Sequence, residues 1–227
     1  LRPLDSMADV SGGIRTGAND TFAPELTDIV DRQIEDVYWQ RKDSKGESID
    51  NVILTSLDEV SSIAGIPDAE RRLLLLPEDR NELKGTNADS LLKQAEKGKI
   101  HKRPSVRNRD PWWYLGEPPT PHAIIPKQQR HRWLVIDNVS KAFVTDAFIG
   151  VRFNEPDRLT NLSEKVVLWM NSSLGLFMSE LVQREAHVAD VTVRDAHEFP
   201  IPEDAVLDQI DVLEKASRAF LERLERF

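Results

Sequence analysis

The residues best suited to chemistry in this sequence are the cations and rings of one stretch, "HKRPSVRNRDPWWYL" at 101–115. Lys102, Arg103, Arg107 and Arg109 fall within eight residues, and Trp112 and Trp113 follow at once. Lysine and arginine neutralise phosphates and release condensed counterions, which drives salt-dependent association with nucleic acid. Arginine also pairs bidentately with guanine, worth about 1–3 kcal/mol of discrimination. An aromatic ring stacks on a base or fills distorted DNA. Read as neighbours on a strand, the two tryptophans face opposite ways, so one ring is expected in the core and the other at the surface or in a cleft. A second basic stretch, "PKQQRHR" at 126–132, adds Lys127, Gln129, Arg130 and Arg132. Glutamine pairs bidentately with adenine, so this stretch mixes phosphate anchors with candidate base readers.

These cations stand out because the 227-residue chain is acidic, with 39 Asp+Glu against 30 Lys+Arg and a formal charge of −9. Residues 99–152 hold ten Lys/Arg and four Asp/Glu, which leaves twenty cations and thirty-five acids elsewhere. A polyanion senses the face within a Debye length of about 8–10 Å, so the local excess is the better guide to a partner.

Other chemistry is not visible. No P-loop, GxGxxG, HExxH, GxSxG or EF-hand pattern occurs. The five histidines lack the usual close ligand spacings, and His122 and His131 lie among cations that repel a metal. Adjacent acids such as Glu35/Asp36 and Glu78/Asp79 read as solvation rather than a nuclease centre. No catalytic and no metal-binding residue is therefore assigned. Cysteine is absent, which rules out disulfides and thiolate catalysis. No apolar run approaches the roughly 20 residues of a membrane span, and no secretory signal is visible, so a cytoplasmic protein is expected. The start "LRPLDSMADV" lacks Met and reads as the middle of a longer polypeptide.

The elements that must position the cations are read from periodicity and breakers. Strands are expected near Met7–Val10 and Ile14, followed by a loop "TGANDTF" whose Phe22 plugs into apolar surface. "VYW", "NVILTSL" and "RRLLLLPE" read as strands, whereas "LTDIVDRQIEDVYWQ" fits a short helix equally well. "NADSLLKQAEKGK" reads as a helix capped by Asn87 or Asp89 and ended by Gly98. Ala123–Ile125 and Trp133–Ile136 are strand-like, and "KAFVTDAFIGVRF" reads as a β-rich stretch suited to a hairpin. "NLSEKVVLWMNSSLGLFMSELVQRE" reads as one helix of about six turns, with Asn161 and Glu164 as a capping box. "VADVTVRDAHEFPIPE" reads as a strand and a proline-bounded exit. From Val206 to Phe227 the apolar residues follow a heptad-like stripe, suited to docking on the same domain or on a partner helix.

Three segments in order carry a resemblance. "VSGGIRTGANDTF" resembles the V-x-x-G-I-x-T-G-x-N-x-x-F segment that opens the recognition region of many adenine-N6 DNA methyltransferases. "GKIHKRPSVRNRDPWWYLGEPPTPHAIIPKQQRHR" resembles their R-x-x-x-R-x-P-W-[WY] segment and the strand and basic loop after it. "VVLWMNSSLGLFMSELVQRE", with the following "VTVRDAHEFPIPE", resembles the L-N-S-x-L helix, strand and proline exit that close such domains. The chain thus looks like a TaqI-like C-terminal target-recognition (specificity) domain of an adenine-N6 DNA methyltransferase or restriction-modification enzyme.

The resemblance implies an α+β fold, a twisted and mostly antiparallel sheet with flanking helices, over residues 1–202. Residues 203–227 would form the C-terminal amphipathic helix. It implies double-stranded DNA as partner, together with an N-terminal methyltransferase domain of the same polypeptide that binds S-adenosylmethionine and carries an N-P-P-[FYW] motif. That motif is absent here, so no cofactor is assigned to this chain and no catalytic residue carries over. The DNA-binding candidates are Thr16, Asn19, Lys102, Arg103, Arg107, Arg109, Trp112, Trp113, Lys127, Gln129, Arg130 and Arg132. Gly17 also matches the opening motif, and Asn171 and Ser172 are expected to be structural, satisfying buried backbone or fixing the closing helix against the sheet. Two alternatives stand beside this reading: a type I restriction specificity subunit, and a protein-interaction module with a basic face.

Overall fold

The computed structural model describes residues 1–60, 69–128, 134–156, 161–182 and 190–207. Its strands are β1 (Arg2–Pro3), β2 (Ala8–Gly12), β3 (Gln40–Lys42), β4 (Ser48–Asp50), β5 (Ile53–Leu54), β6 (Ala123–Pro126), β7 (Ile136–Asp137), β8 (Phe143–Val144), β9 (Phe148–Phe153) and β10 (Pro200–Ile201). Its helices are α1 (Asn19–Phe22), α2 (Leu26–Asp31), α3 (Asn87–Lys97), α4 (Leu162–Asn171), α5 (Ser173–Val182), α6 (Val193–Glu198) and α7 (Asp204–Leu207). The protein is α+β: β1–β10, β3–β4 and β6–β7 are antiparallel, and β5–β8 is parallel. The heptad-like stripe expected to 227 lies outside the described residues beyond Leu207. None of the described helices is long and apolar enough to cross a membrane.

The chain divides into two compact units, one from Leu1–Ser11, His122–Asp137 and Ile149–Phe227, the other from Gly12–Pro121 and Asn138–Phe148. The first is built on a four-stranded sheet of order β2-β9-β6-β7. Alternation sets its faces. Ala8, Val10, Ile149, Val151 and Phe153 point into one apolar cluster, while Asp9 and Arg152 emerge opposite it and pair at 2.8 Å. Leu162, Val166 and Met170, four residues apart on α4, pack into the same cluster.

The closing segment differs from the expected single long helix. It breaks at Ser172, whose ψ of 164° is extended. The Ser172 hydroxyl donates to Trp169 O at 2.6 Å and accepts from Gly175 N at 3.1 Å, so one side chain ends α4 and starts α5. Apolar periodicity runs through this break and cannot report it. At Gly175 a Cβ would lie 2.4 Å from the carbonyl oxygens of Trp169 and Met170, so glycine lets α5 approach the end of α4. The expected Asn161–Glu164 box does not form, because Asn161 is left-handed at φ 55° and its side chain makes no cap bond. Asn171 does bind helix to sheet. Its Oδ1 accepts from Val135 N at 2.9 Å, and its Nδ2 donates to Val135 O at 2.7 Å and Val167 O at 2.8 Å. The strand expected in "VADVTVRD" is instead α6 from Val193, started by a capping box of Thr192 and Asp195.

The second unit gathers Phe22, Ile29, Leu74, Leu83 and Leu92 in its core. "LTDIVD" is the helix α2, which ends as Gln33 turns left-handed at φ 53°. The expected "VYW" strand is a 3₁₀ turn at Asp36–Tyr38. "RRLLLLPE" is buried as expected but is not a strand. Leu73 N donates to Asn51 O, Leu74 N to Phe22 O and Leu75 N to Tyr38 O, so successive amides find partners on three different segments. Thr86, not Asn87 or Asp89, caps α3, accepting from Asp89 N at 3.1 Å. Gly98 ends that helix as its pattern predicts. The hairpin expected in "KAFVTDAFIGVRF" does not form: β8 pairs with β5, and β9 belongs to the four-stranded sheet. At Ile14 there is a single bridge to Thr145 rather than a strand.

Candidate nucleic-acid interface

The cationic stretch begins where α3 stops. Lys99 turns left-handed at φ 60°, and a 3₁₀ turn over Ile100–Lys102 leads into a run of turns. Arg103 O accepts from both Val106 N and Arg107 N at 2.9 Å, which winds the backbone tightly. Val106 is the fully buried peg of this segment. Lys102, Arg103 and Arg107 are exposed, and their side chains make no hydrogen bond or ion pair to any described residue. Between Lys97 and Arg109 the sequence contains no acid. The segment is therefore positive along its sequence, and the charges of Lys102, Arg103 and Arg107 are uncommitted among the described residues.

Arg109 is different. Its Nη1 donates to Trp112 O at 3.1 Å, and its Nη2 donates to Arg15 O at 2.7 Å and Thr16 O at 3.2 Å. Its guanidinium carbon lies 5.7 Å from the Phe22 ring centroid. Partial burial pulls its pKa below the usual guanidinium value. Two motifs more than ninety residues apart in sequence meet here. Gly17, at φ +72°, completes the junction: a Cβ would lie 2.6 Å from Val106 Cγ2, and Ser105 Oγ donates to Gly17 O at 3.2 Å. Thr16 is 2% exposed and its hydroxyl donates to Asn19 Oδ1, while Asn19 itself is exposed at the start of α1.

Both tryptophans pack on the core cluster of the second unit, in a turn rather than on a strand. The expected division into one core and one surface ring depended on strand alternation, which a turn does not impose. The rings meet edge to face at 6.1 Å and 90°. Trp112 meets Phe22 edge-on at 5.9 Å. Trp113 Nε1 donates to Pro77 O at 3.0 Å, and the Arg80 guanidinium lies 5.0 Å over its ring. Of the second basic stretch, Lys127 is half-buried in the first unit, where its carbonyl accepts from Val191 N at 2.7 Å. Gln129, Arg130 and Arg132 lie outside the described residues. The cationic island of the sequence is thus shared between two compact units. His122 accepts from Phe153 N at 2.9 Å through Nδ1, and among the described residues no group of three or more His, Asp or Glu could hold a metal ion.

A sequence model of the C-terminal domain of the type II methyltransferase M.Eco57I matches residues 1–225. The chain belongs to this family. No curated protein matches it. Among solved structures, the type IIG restriction endonuclease BpuSI is similar over 92% of this chain, with 15% identity and a TM-score of 0.57. At that identity the likeness is one of fold. The chain spans 25% of the length of BpuSI.

In this M.Eco57I-type C-terminal domain, an exposed cation that sequence reasoning passed over, Arg15, lies against Arg109. Its side chain is 84% exposed, yet its carbonyl is held by Arg109. The available signal was its place inside the "GIRTG" turn. The domain also braces the basic turn with ion pairs. Arg80 bonds Glu96 and Asp89 beneath Trp113, and Lys93 meets Asp89 at 2.6 Å. The bond from Lys93 above all, with Arg80, holds the Asp89 carboxyl below the usual carboxylate range. Arg80 does the same for Glu96. Carboxylates depressed by folding stabilise the fold above the ordinary carboxylate range, and the gain is lost as pH falls from that range through the lower values of the folded state. The thermal midpoint is accordingly expected to fall as pH drops below about 5 and to go on falling as the pH passes below the ordinary carboxylate range, and Asp89→Asn is expected to flatten that dependence while lowering the midpoint at neutral pH. Melting curves across this range check it.

Proposed function

We propose that this chain is the DNA sequence-recognition part of a site-specific adenine-N6 DNA methyltransferase of a restriction-modification system. Its fold would be of the TaqI-like target-recognition type. The S-adenosylmethionine-binding catalytic domain lies elsewhere in the same polypeptide and is the partner that acts on the flipped adenine. The observation that carries the reading is the acid-free turn bearing Lys102, Arg103 and Arg107, exposed and uncommitted, in a member of a methyltransferase C-terminal family. Those three side chains contact phosphates and fix the register of the enzyme on the duplex, the task that backbone contacts perform in DNA recognition.

The test is a titration of a labelled random-sequence duplex at several salt concentrations. Wild-type affinity is expected to fall steeply as salt rises. Combined Lys102→Glu, Arg103→Glu and Arg107→Glu substitutions are expected to weaken binding by roughly 100-fold or more and to reduce the log–log salt slope by about three, near one per lost phosphate contact. No binding at low salt, or an unchanged affinity in the triple variant, overturns the reading.

A further inference from the structure

We propose that Arg15 is a further DNA-contacting residue, and that Arg109 positions it rather than meeting DNA itself. The inference rests on the DNA-recognition reading above. The Arg109 guanidinium donates to three backbone carbonyls, those of Arg15, Thr16 and Trp112, and sits against the Phe22 ring. A planar fork used in this way has little left to offer a phosphate. Arg15 is the reverse case. Its backbone is held by Arg109, its side chain is 84% exposed, and its partner among the described residues is Asp146 at 3.4 Å, a carboxylate half exposed itself. An exposed pair of this kind contributes little and is easily exchanged for a phosphate. The junction is stiff on both sides. Gly17 lies on Val106, and Ser105 bonds the Gly17 carbonyl, so the loop carrying Arg15 and the turn carrying Arg107 form one body. On this proposal the two arginines, from two distant parts of the sequence, both serve the DNA-facing side.

Asp146 then acts as a competitor. It occupies Arg15 in the free protein and must yield when a phosphate arrives. Removing its charge should strengthen binding only while Arg15 is present.

The experiment uses the 227-residue chain and the same random-sequence duplex. Arg15→Ala is expected to weaken binding about 3–10-fold and to lower the salt slope by about one. Asp146→Asn is expected to tighten binding about 2–3-fold, and not at all in the Arg15→Ala background. Arg109→Lys keeps the charge but loses the fork. It is expected to lower the thermal midpoint, weaken binding, and shrink the further effect of Arg15→Ala. If Arg15→Ala binds like wild type while the Lys102, Arg103 and Arg107 triple variant is impaired, this inference fails and the DNA reading stands. If Arg109→Lys keeps both midpoint and affinity, Arg109 is a phosphate contact and the positioning role is wrong. If the wild-type chain binds no duplex at low salt, both readings fall together.

Discussion

Gly13→Ala is expected to destabilise the protein by roughly 3–5 kcal/mol, a drop in thermal midpoint on the order of 10 °C for a chain of this size. A Cβ at this position would lie 2.2 Å from Thr145 O and 2.5 Å from Val144 O. Both are backbone atoms, so no side-chain rotation relieves the clash. The same two segments are joined by hydrogen bonds from Ile14 N to Val144 O at 2.8 Å and from Asp146 N to Ile14 O at 3.1 Å. Making room for one methyl group pulls these bonds apart, and overpacking and lost hydrogen bonding add. Gly98→Ala is the control. Its Cβ would lie 3.4 Å from Ala95 O, in a helical conformation at φ −72°, and the midpoint should barely move. Thermal melts of the two variants decide the matter; equal midpoints would show that the approach at Gly13 has slack. The segment so held leads directly into Arg15, so on the proposed DNA reading the clash is also expected to weaken duplex binding.

Asn171→Leu is the second large effect, about 3 kcal/mol or more of lost stability. The carboxamide satisfies the amide and the carbonyl of Val135 together, much as a neighbouring strand would, and also bonds Val167 O. Leucine has similar bulk but no polar atoms, so the Val135 groups are left without these bonds beside the fully buried Val135 side chain. Leaving such groups unsatisfied costs more than losing a surface hydrogen bond. Asn171→Asp separates the two halves of the contact: a carboxylate still accepts from Val135 N but cannot donate to either carbonyl. Denaturant unfolding should rank wild type above Asn171→Asp and Asn171→Leu. A wild-type midpoint for both would mean that this helix is held on the sheet by its apolar face alone.

Much of the fold is legible in the sequence where the signal is local. Alternation in "FIGVRF" gives β9, Gly98 gives the end of α3, and "NADSLLKQAEK" gives its body. The capping box that starts α6 is also written locally, as Thr192 and Asp195, but the β-branched residues around it outweigh it in a reading by propensity. Other elements mislead for a common reason. Ser172 breaks a helix whose apolar pattern continues unbroken, because its hydroxyl serves both helix ends. "RRLLLLPE" is apolar enough for a strand, yet its amides bond three separate segments, and only tertiary structure supplies those partners.

The candidate site divides in the same way. Composition by itself determines that Lys102, Arg103 and Arg107 form an acid-free cationic stretch, because charge density along a chain needs no folding to be read. Only the tertiary structure decides what each cation does. Arg109 belongs to the same stretch and carries the same charge, but its fork closes on the carbonyls of Arg15, Thr16 and Trp112, while Arg107 makes no side-chain bond to any described residue. Trp112 and Trp113 likewise read as one core and one surface ring, and the turn that follows Arg109 instead packs both, partly buried, against the same core cluster. The physical reason is the reach of the interaction: charge and periodicity are properties of neighbours in sequence, whereas a guanidinium's partners are whatever backbone folding brings within hydrogen-bond distance of it.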